Sequence, residues 1–110
     1  MLRIIFWLCM SSAAYAQDDL SGNGMLPYCK QALSASGSFG EGLCHGYISG
    51  MAFLARNLPP NLAFCRPQGV THEQQLRIVV RFLENNPQRL HETFPDLAFE
   101  ALRKEWPCPK

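Results

Sequence analysis

The chain has little charge, and what it has is balanced. Asp, Glu, Lys and Arg make up 17% of its residues, and the net charge is +1 at neutral pH. No basic stripe is dense enough to hold nucleic acid, and there is no acidic tail. No stretch alternates apolar and polar residues around a two-residue turn, so a β-sheet is not expected. Without a strand, nothing can carry a glycine-rich phosphate loop. The three histidines, His45, His72 and His91, are scattered, and no cysteines lie two or three apart, so no metal site can be read. A haem-attachment motif is absent as well, because Glu41 stands three residues before Cys44. No cofactor is implied, and no internal repeat is visible.

What is present begins with an export signal. Arg3, the apolar run Ile4 to Met10 and the Ala14-Tyr15-Ala16 cleavage pattern identify residues 1–16 as a signal peptide. The run is too short for a membrane span, and nothing in the remainder calls for membrane binding. Cleavage removes Cys9 and leaves residues 17–110 as one small domain. Four cysteines remain: Cys29, Cys44, Cys65 and Cys108. An even number in a short exported chain reads as two disulfides, for which three pairings exist. Cys29 and Cys44 lie equally far from the Ser34-Ala35-Ser36-Gly37-Ser38 turn. In an antiparallel helical hairpin they would face each other, leaving Cys65 for Cys108.

The mature chain reads as an all-α, disulfide-stapled domain of four to five helices. Gln17 to Gly24 is expected to be a frayed start, with a first helix beginning at Pro27. A second helix runs from Gly42 to about Asn57 and stops before Pro59-Pro60. Leu58 to Gly69 is a proline-rich loop. Thr71 and Gln74 form a capping-box pattern ahead of a helix that reaches Asn85. Its core stripe is Leu76, Val79, Val80 and Leu83, with Glu73, Arg77, Arg81 and Glu84 on the polar face. Pro87 to His91 is a short turn. A last helix starts at Thr93-Phe94-Pro95-Asp96 and ends near Glu105.

The second helix has two working faces. Cys44, Tyr47, Ile48, Met51, Leu54, Ala55 and Leu58 fall on one apolar side. Gly42, Gly46 and Gly50 recur at i, i+4, i+8 on another, with Phe53 beside them. A glycine inside a helix costs about 1 kcal/mol relative to alanine. Three on one ridge suggest close approach by another helix, from the same chain or a second subunit.

Catalytic groups are not found. Cys44 and His45 are adjacent, so on a helix they point about 100° apart and cannot act as nucleophile and base. His72, in the first turn of its helix, reads as a surface residue, and Glu100 and Glu105 as solvated side chains. The chain therefore reads as a binding protein. Leu58, Leu62 and Phe64 are unusually apolar for a connection. With Arg77 and Arg81 they are the expected partner contacts.

Three stretches, taken together, resemble one family. Cys44-His45-Gly46-Tyr47-Ile48-Ser49-Gly50 resembles a Cys-x-Gly-Tyr-x-x-Gly motif. Phe64-Cys65-Arg66-Pro67-Gln68-Gly69-Val70-Thr71 resembles a Cys-x-Pro-x-Gly-Val-Thr entry to a helix. Asn86-Pro87-Gln88-Arg89-Leu90-His91, then Ala101-Leu102 and Trp106-Pro107-Cys108, resemble a His-Pro-Glu-x-Leu-His … Ala-Leu … Phe-Pro-Cys ending, with Asn86 and Trp106 as departures. These are marks of the Rap/Tai family of type VI secretion amidase immunity proteins. The resemblance implies a small periplasmic protein, often a homodimer. It would occlude a peptidoglycan amidase delivered by neighbouring cells and would need no cofactor. The alternative is a periplasmic helical binding protein of another kind, such as an acid-stress chaperone or envelope-assembly factor, which acid behaviour would distinguish. An enzyme would need a deep pocket with two convergent titratable groups.

Overall fold

A computed structural model describes residues 20–110. The proposed signal peptide, residues 1–16, lies outside the described residues. Four α-helices follow in order: α1 Gly22–Ser34, α2 Phe39–Leu54, α3 His72–Asn85 and α4 Phe94–Glu105. A 3-10 turn, Ala55–Asn57, extends α2, and another, Pro87–Arg89, precedes α4. The fold is all-α, as expected. Among the described residues no helix is long and apolar enough to cross a membrane.

α1 and α2 form the expected antiparallel hairpin. The chain reverses through Ala35 and Gly37, both at positive φ (51° and 70°). Ser38 caps α2 by accepting from the Glu41 N–H (3.1 Å), and the Glu41 carboxylate accepts from the Gly37 N–H (2.5 Å). That Ser-x-x-Glu cap starts α2 at Phe39, three residues earlier than the glycine spacing suggested. Cys29 and Cys44 face each other across the hairpin and are bonded, with Cα atoms 5.2 Å apart.

The second disulfide joins Cys65 to Cys108, also as expected, with Cα atoms 4.8 Å apart. The Cys65 N–H donates to the Trp106 carbonyl (2.8 Å), so the segment entering α3 lies against the end of α4. The Thr71–Gln74 capping box is formed on both sides, at 3.1 and 2.7 Å. Leu76, Val79, Val80 and Leu83 are buried. They meet Met25 and Cys29 of α1, Ile48 of α2 and Phe94, Leu97 and Leu102 of α4 in one core. Tyr47 meets Phe94 edge to face, ring centres 6.0 Å apart. Gln75 is buried as well, and its amide oxygen has no hydrogen-bond partner among the described residues.

The start of α1 departs from expectation. Gly22 to Gly24 are helical, capped by Ser21, and Pro27 lies inside the helix. The cause is non-local. The Gly22 and Asn23 N–H groups, orphans of a first helical turn, donate to the Glu92 and Leu90 carbonyls (3.0 and 2.8 Å). The Phe94 N–H donates back to Leu20 (2.6 Å). Gly22 packs so closely there that a Cβ would lie 2.8 Å from Leu97 and 3.1 Å from the Leu90 backbone.

Candidate binding surface

Of the two partners expected for the glycine ridge, a helix of the same chain and a second subunit, the first is not found among the described residues. A Cβ at Gly42, Gly46 or Gly50 would meet nothing within 4 Å among the described residues beyond the backbone of its own helix. The tight approach in the hairpin is made by Gly40 instead, where a Cβ would strike the Tyr28 ring. Gly40 shares a face with Cys44, Ile48, Met51 and Ala55, all buried. The three glycines lie on the opposite side.

That outer side is an uncharged apolar stripe. Phe39 is 77% exposed at one end, Phe53 85% at the other, and Leu54, expected inside, is 50% exposed. The phenylalanines are about 21 Å apart along the axis at 1.5 Å per residue. Between them run Gly42, Leu43, Gly46 and Gly50, and a shallow groove of about 380 Å³ lies along Leu43 and Tyr47. Phe39 falls outside the helix that the glycine spacing predicts, which begins at Gly42. The Ser38-x-x-Glu41 spacing was the signal that could have found it.

The loop before α3 divides the other expected contacts. Phe64 is not available to a partner. It is fully buried and packs against Phe99, ring centres 6.4 Å apart. Leu58 and Leu62 are partly exposed beside exposed Pro59, Pro60 and Asn61. The loop is held from several sides. The Leu62 and Ala63 N–H groups donate to the Pro59 carbonyl (2.8 and 2.9 Å), and the Arg103 guanidinium donates to the Asn61 carbonyl. A cavity of about 630 Å³, lined by Leu58, Pro60, Ala63 and the Cys65–Cys108 bridge, lies behind it. Arg77 and Arg81 are exposed but already paired, with Glu73 (2.6 Å) and Glu105 (3.6 Å). Exposed pairs such as these contribute about 0–1 kcal/mol.

Two side-chain clusters were not foreseen. His45 and His72, read as scattered, meet at the α2–α3 contact. Nδ1 of His45 lies 2.5 Å from Nε2 of His72, so one ring donates to the other. The outer nitrogen of His45 lies 3.7 Å from Glu41, and that of His72 is 3.4 Å from the Ser49 hydroxyl. Burial lowers the His72 pKa below its ordinary value, and the charges of His45 and Arg66 lower it further. His72 is therefore a contact residue of two helices, not a free surface group. Their separation of 27 residues hides the pair from any local pattern. Cys44, the neighbour of His45 in sequence, is in a disulfide.

The second cluster is structural. Arg89 holds Glu92 (2.7 and 3.0 Å) and Glu100 (2.6 and 3.1 Å) in two forked pairs. Lys104 adds a pair to Glu100 (3.3 Å). The hydrogen bonds from Arg89 hold the Glu100 carboxyl down to about 2, against the cost of its burial. Glu100 is thus the hub of an ion-pair network tying the turn before α4 to the helix, not a merely solvated residue. Among the described residues no group of three or more His, Cys, Asp or Glu side chains converges as a metal site would require.

The two disulfides belong to an oxidising compartment outside the cytosol. No curated protein and no solved structure matches the chain. A family model described as Rap1a immunity proteins matches residues 21–108, which takes in every helix, both bridges and the loop between α2 and α3. The chain therefore belongs to the Rap1a immunity protein family.

Proposed function

We propose that this chain is a periplasmic immunity protein that binds and occludes a type VI secretion peptidoglycan amidase, protecting the producing cell. The observation that carries the reading is the braced loop 58–63. It is exposed, partly apolar, stiffened by two prolines and held by Arg103 and the Cys65–Cys108 bridge. A segment ordered in advance loses little conformational freedom on entering a cleft. Leu58 and Leu62 are its apolar contacts, with Arg77 and Arg81 as further contacts on the solvated side of α3. Inhibition needs no reacting group, only exclusion of substrate. The chain acts as a homodimer, pairing through Gly42, Gly46, Gly50 and Phe53 of α2. Glycines there let two backbones approach closely, and Phe39 and Phe53 cover the ends.

Adding the purified mature protein to such an amidase should bring hydrolysis to background at one equivalent. A Leu62→Glu variant with unchanged helicity should inhibit at least tenfold less well. An amidase that keeps its full rate beside excess parent protein overturns the reading. Gly46→Leu should convert a dimer in sedimentation to a folded monomer; a folded dimer in that variant removes α2 as the pairing face.

One observation favours the acid-chaperone alternative. The His45–His72 contact holds α2 to α3 and would be weakened when both rings are charged. Suppression of client aggregation that appears only below about pH 6 would support that reading.

A further inference from the structure

A second feature lies between the apolar stripe and the braced loop. At the end of α2 the chain leaves a cleft of about 560 Å³ against the turn that leads into α3. Arg56 and Arg66 both line it. The other described arginines are engaged within the chain: Arg77 with Glu73, Arg81 with Glu105, Arg89 with Glu92 and Glu100, and Arg103 with the Asn61 carbonyl. Arg56 and Arg66 have no carboxylate or carbonyl partner of that kind among the described residues, and no acidic residue lines the cleft. The two arginines without a counter-charge among the described residues thus share one concavity.

Arg66 is close enough to His72 for its charge to bear on that imidazole. The backbone around both arginines is fixed. Arg56 lies in the 3-10 turn after α2. Arg66 follows the bonded Cys65 and precedes a turn closed by the Val70 N–H on the Pro67 carbonyl (3.4 Å), with Gly69 at φ +89°. One wall is apolar: the exposed Phe53 ring, with Ala52 and Val70.

We propose that this cleft receives an acidic segment of the effector protein, a carboxylate between Arg56 and Arg66 with an apolar neighbour against Ala52 and Val70. Guanidinium forks match carboxylate geometry in pairs, and the apolar wall favours a peptide side chain over a bare inorganic anion. Arg56 also borders the cavity behind the braced loop. An enzyme engaged by that loop would therefore meet the cleft. The proposal rests on the inhibitor reading for the identity of the partner, while the carboxylate site itself can be tested without it.

The test has two arms. In the first, isotopically labelled mature protein is titrated with the capped peptide acetyl-Glu-Leu-Glu-amide and with its Gln-Leu-Gln counterpart. The acidic peptide should shift the amides of Phe53, Arg56, Arg66 and Gly69. Its affinity should fall as salt is raised, and an R56E/R66E variant should show no such shifts. Equal shifts with the neutral peptide, or shifts that persist in R56E/R66E, overturn the site. Tighter binding at the same amides by a peptidoglycan stem peptide overturns the assignment to a protein segment. In the second arm, the R56E/R66E variant should bind the inhibited amidase at least tenfold more weakly than the parent, at unchanged helicity. Parent and variant binding equally overturns the cleft and leaves the inhibitor reading standing. Failure of the parent to bind any amidase overturns the inhibitor reading, and with it the assignment of the cleft to an effector segment, while the peptide arm still decides whether a carboxylate site exists.

Discussion

α2 and α3 are similar in length, and each buries one side in the same core, yet their outer sides are opposites. Outside, α3 carries Glu73, Arg77, Arg81 and Glu84, cross-linked by ion pairs to its own helix, to α4 through Glu105 and to α1 through Lys30. Outside, α2 carries Phe39, Leu43, Phe53 and three glycines, with no charge. A solvated helix needs polar groups in water. A helix that meets a partner can leave apolar surface open and can give up side chains where backbones must approach. The contrast separates a surface completed by ion pairs from one left apolar and uncharged, and it does so without reference to the inner faces.

The largest test of this contrast removes the braces that hold each region in place. Cys29–Cys44 closes 15 residues and orients α2, while Cys65–Cys108 closes 43 and anchors the segment before α3. On the chain-entropy account, loss of the longer link costs about 4 kcal/mol and of the shorter about 3. Urea unfolding of C65S/C108S and C29S/C44S should reproduce that order. The reverse order would mean that the segment between Cys65 and Cys108 keeps structure in the denatured chain, or that losing the fully buried Cys29–Cys44 bridge costs packing beyond its loop entropy.

Glycine substitutions then probe the two sides of α2 with opposite signs. Gly40→Ala drives a methyl into the Tyr28 ring and should destabilise by about 1–3 kcal/mol. Gly46→Ala meets nothing within the chain, so the monomer should gain about 1 kcal/mol of helix propensity. The same change should weaken any dimer that uses the ridge. Thermal unfolding across a range of protein concentrations separates the two effects. If both alanines destabilise the monomer, the outward placement of the ridge is wrong.

α3 hides its own misfit inside. The amide oxygen of Gln75 is enclosed without a hydrogen-bond partner. Gln75→Met keeps the length and removes the unmet polar group, so it should stabilise by about 1 kcal/mol. That corresponds to about 4–8 °C in Tm for a domain of this size. A loss of stability would mean that Gln75 bridges a buried water or a group that moves.

The pattern of what the sequence disclosed follows from the range of each interaction. The α3 cap, the core stripe Leu76–Leu83, the helix after Thr93 and the cysteine pairing are set by neighbours within a few turns or by hairpin symmetry. All of them were legible. The start of α1 was not, because Gly22 and Asn23 are capped by carbonyls some 70 residues away in sequence, at Glu92 and Leu90. Phe64 looked like a contact because its loop is apolar, but tertiary packing against Phe99 consumed it. The spacing of the ridge was legible, while its direction was not: periodicity says which residues share a face and not what lies opposite. The Arg56–Arg66 cleft left no local sign, since what marks it is the absence, among the described residues, of partners that other arginines have.

The smallest effect is expected at the seam between the two helices. The folded state holds His72 below its ordinary pKa, so it favours the neutral ring. The unfolded chain then binds more protons than the folded one in the interval just below pH 6.5, and stability must fall as pH falls through it. Above pH 6.5 this contribution is fully present. Glu100 works in the same direction but lower. Its carboxyl is held at about 2 against an ordinary 4.5, so its stabilisation is intact above pH 4.5 and is lost as pH falls towards 2. Between pH 6.5 and 5, therefore, the seam responds while the Arg89 network does not. Urea midpoints taken at half-unit steps should decline gently across that interval in the parent and stay flat in His72→Gln. An equal decline in both would move the acid response away from the seam, and the α2–α3 contact would lose its one titratable distinction from the ion-paired outer face of α3.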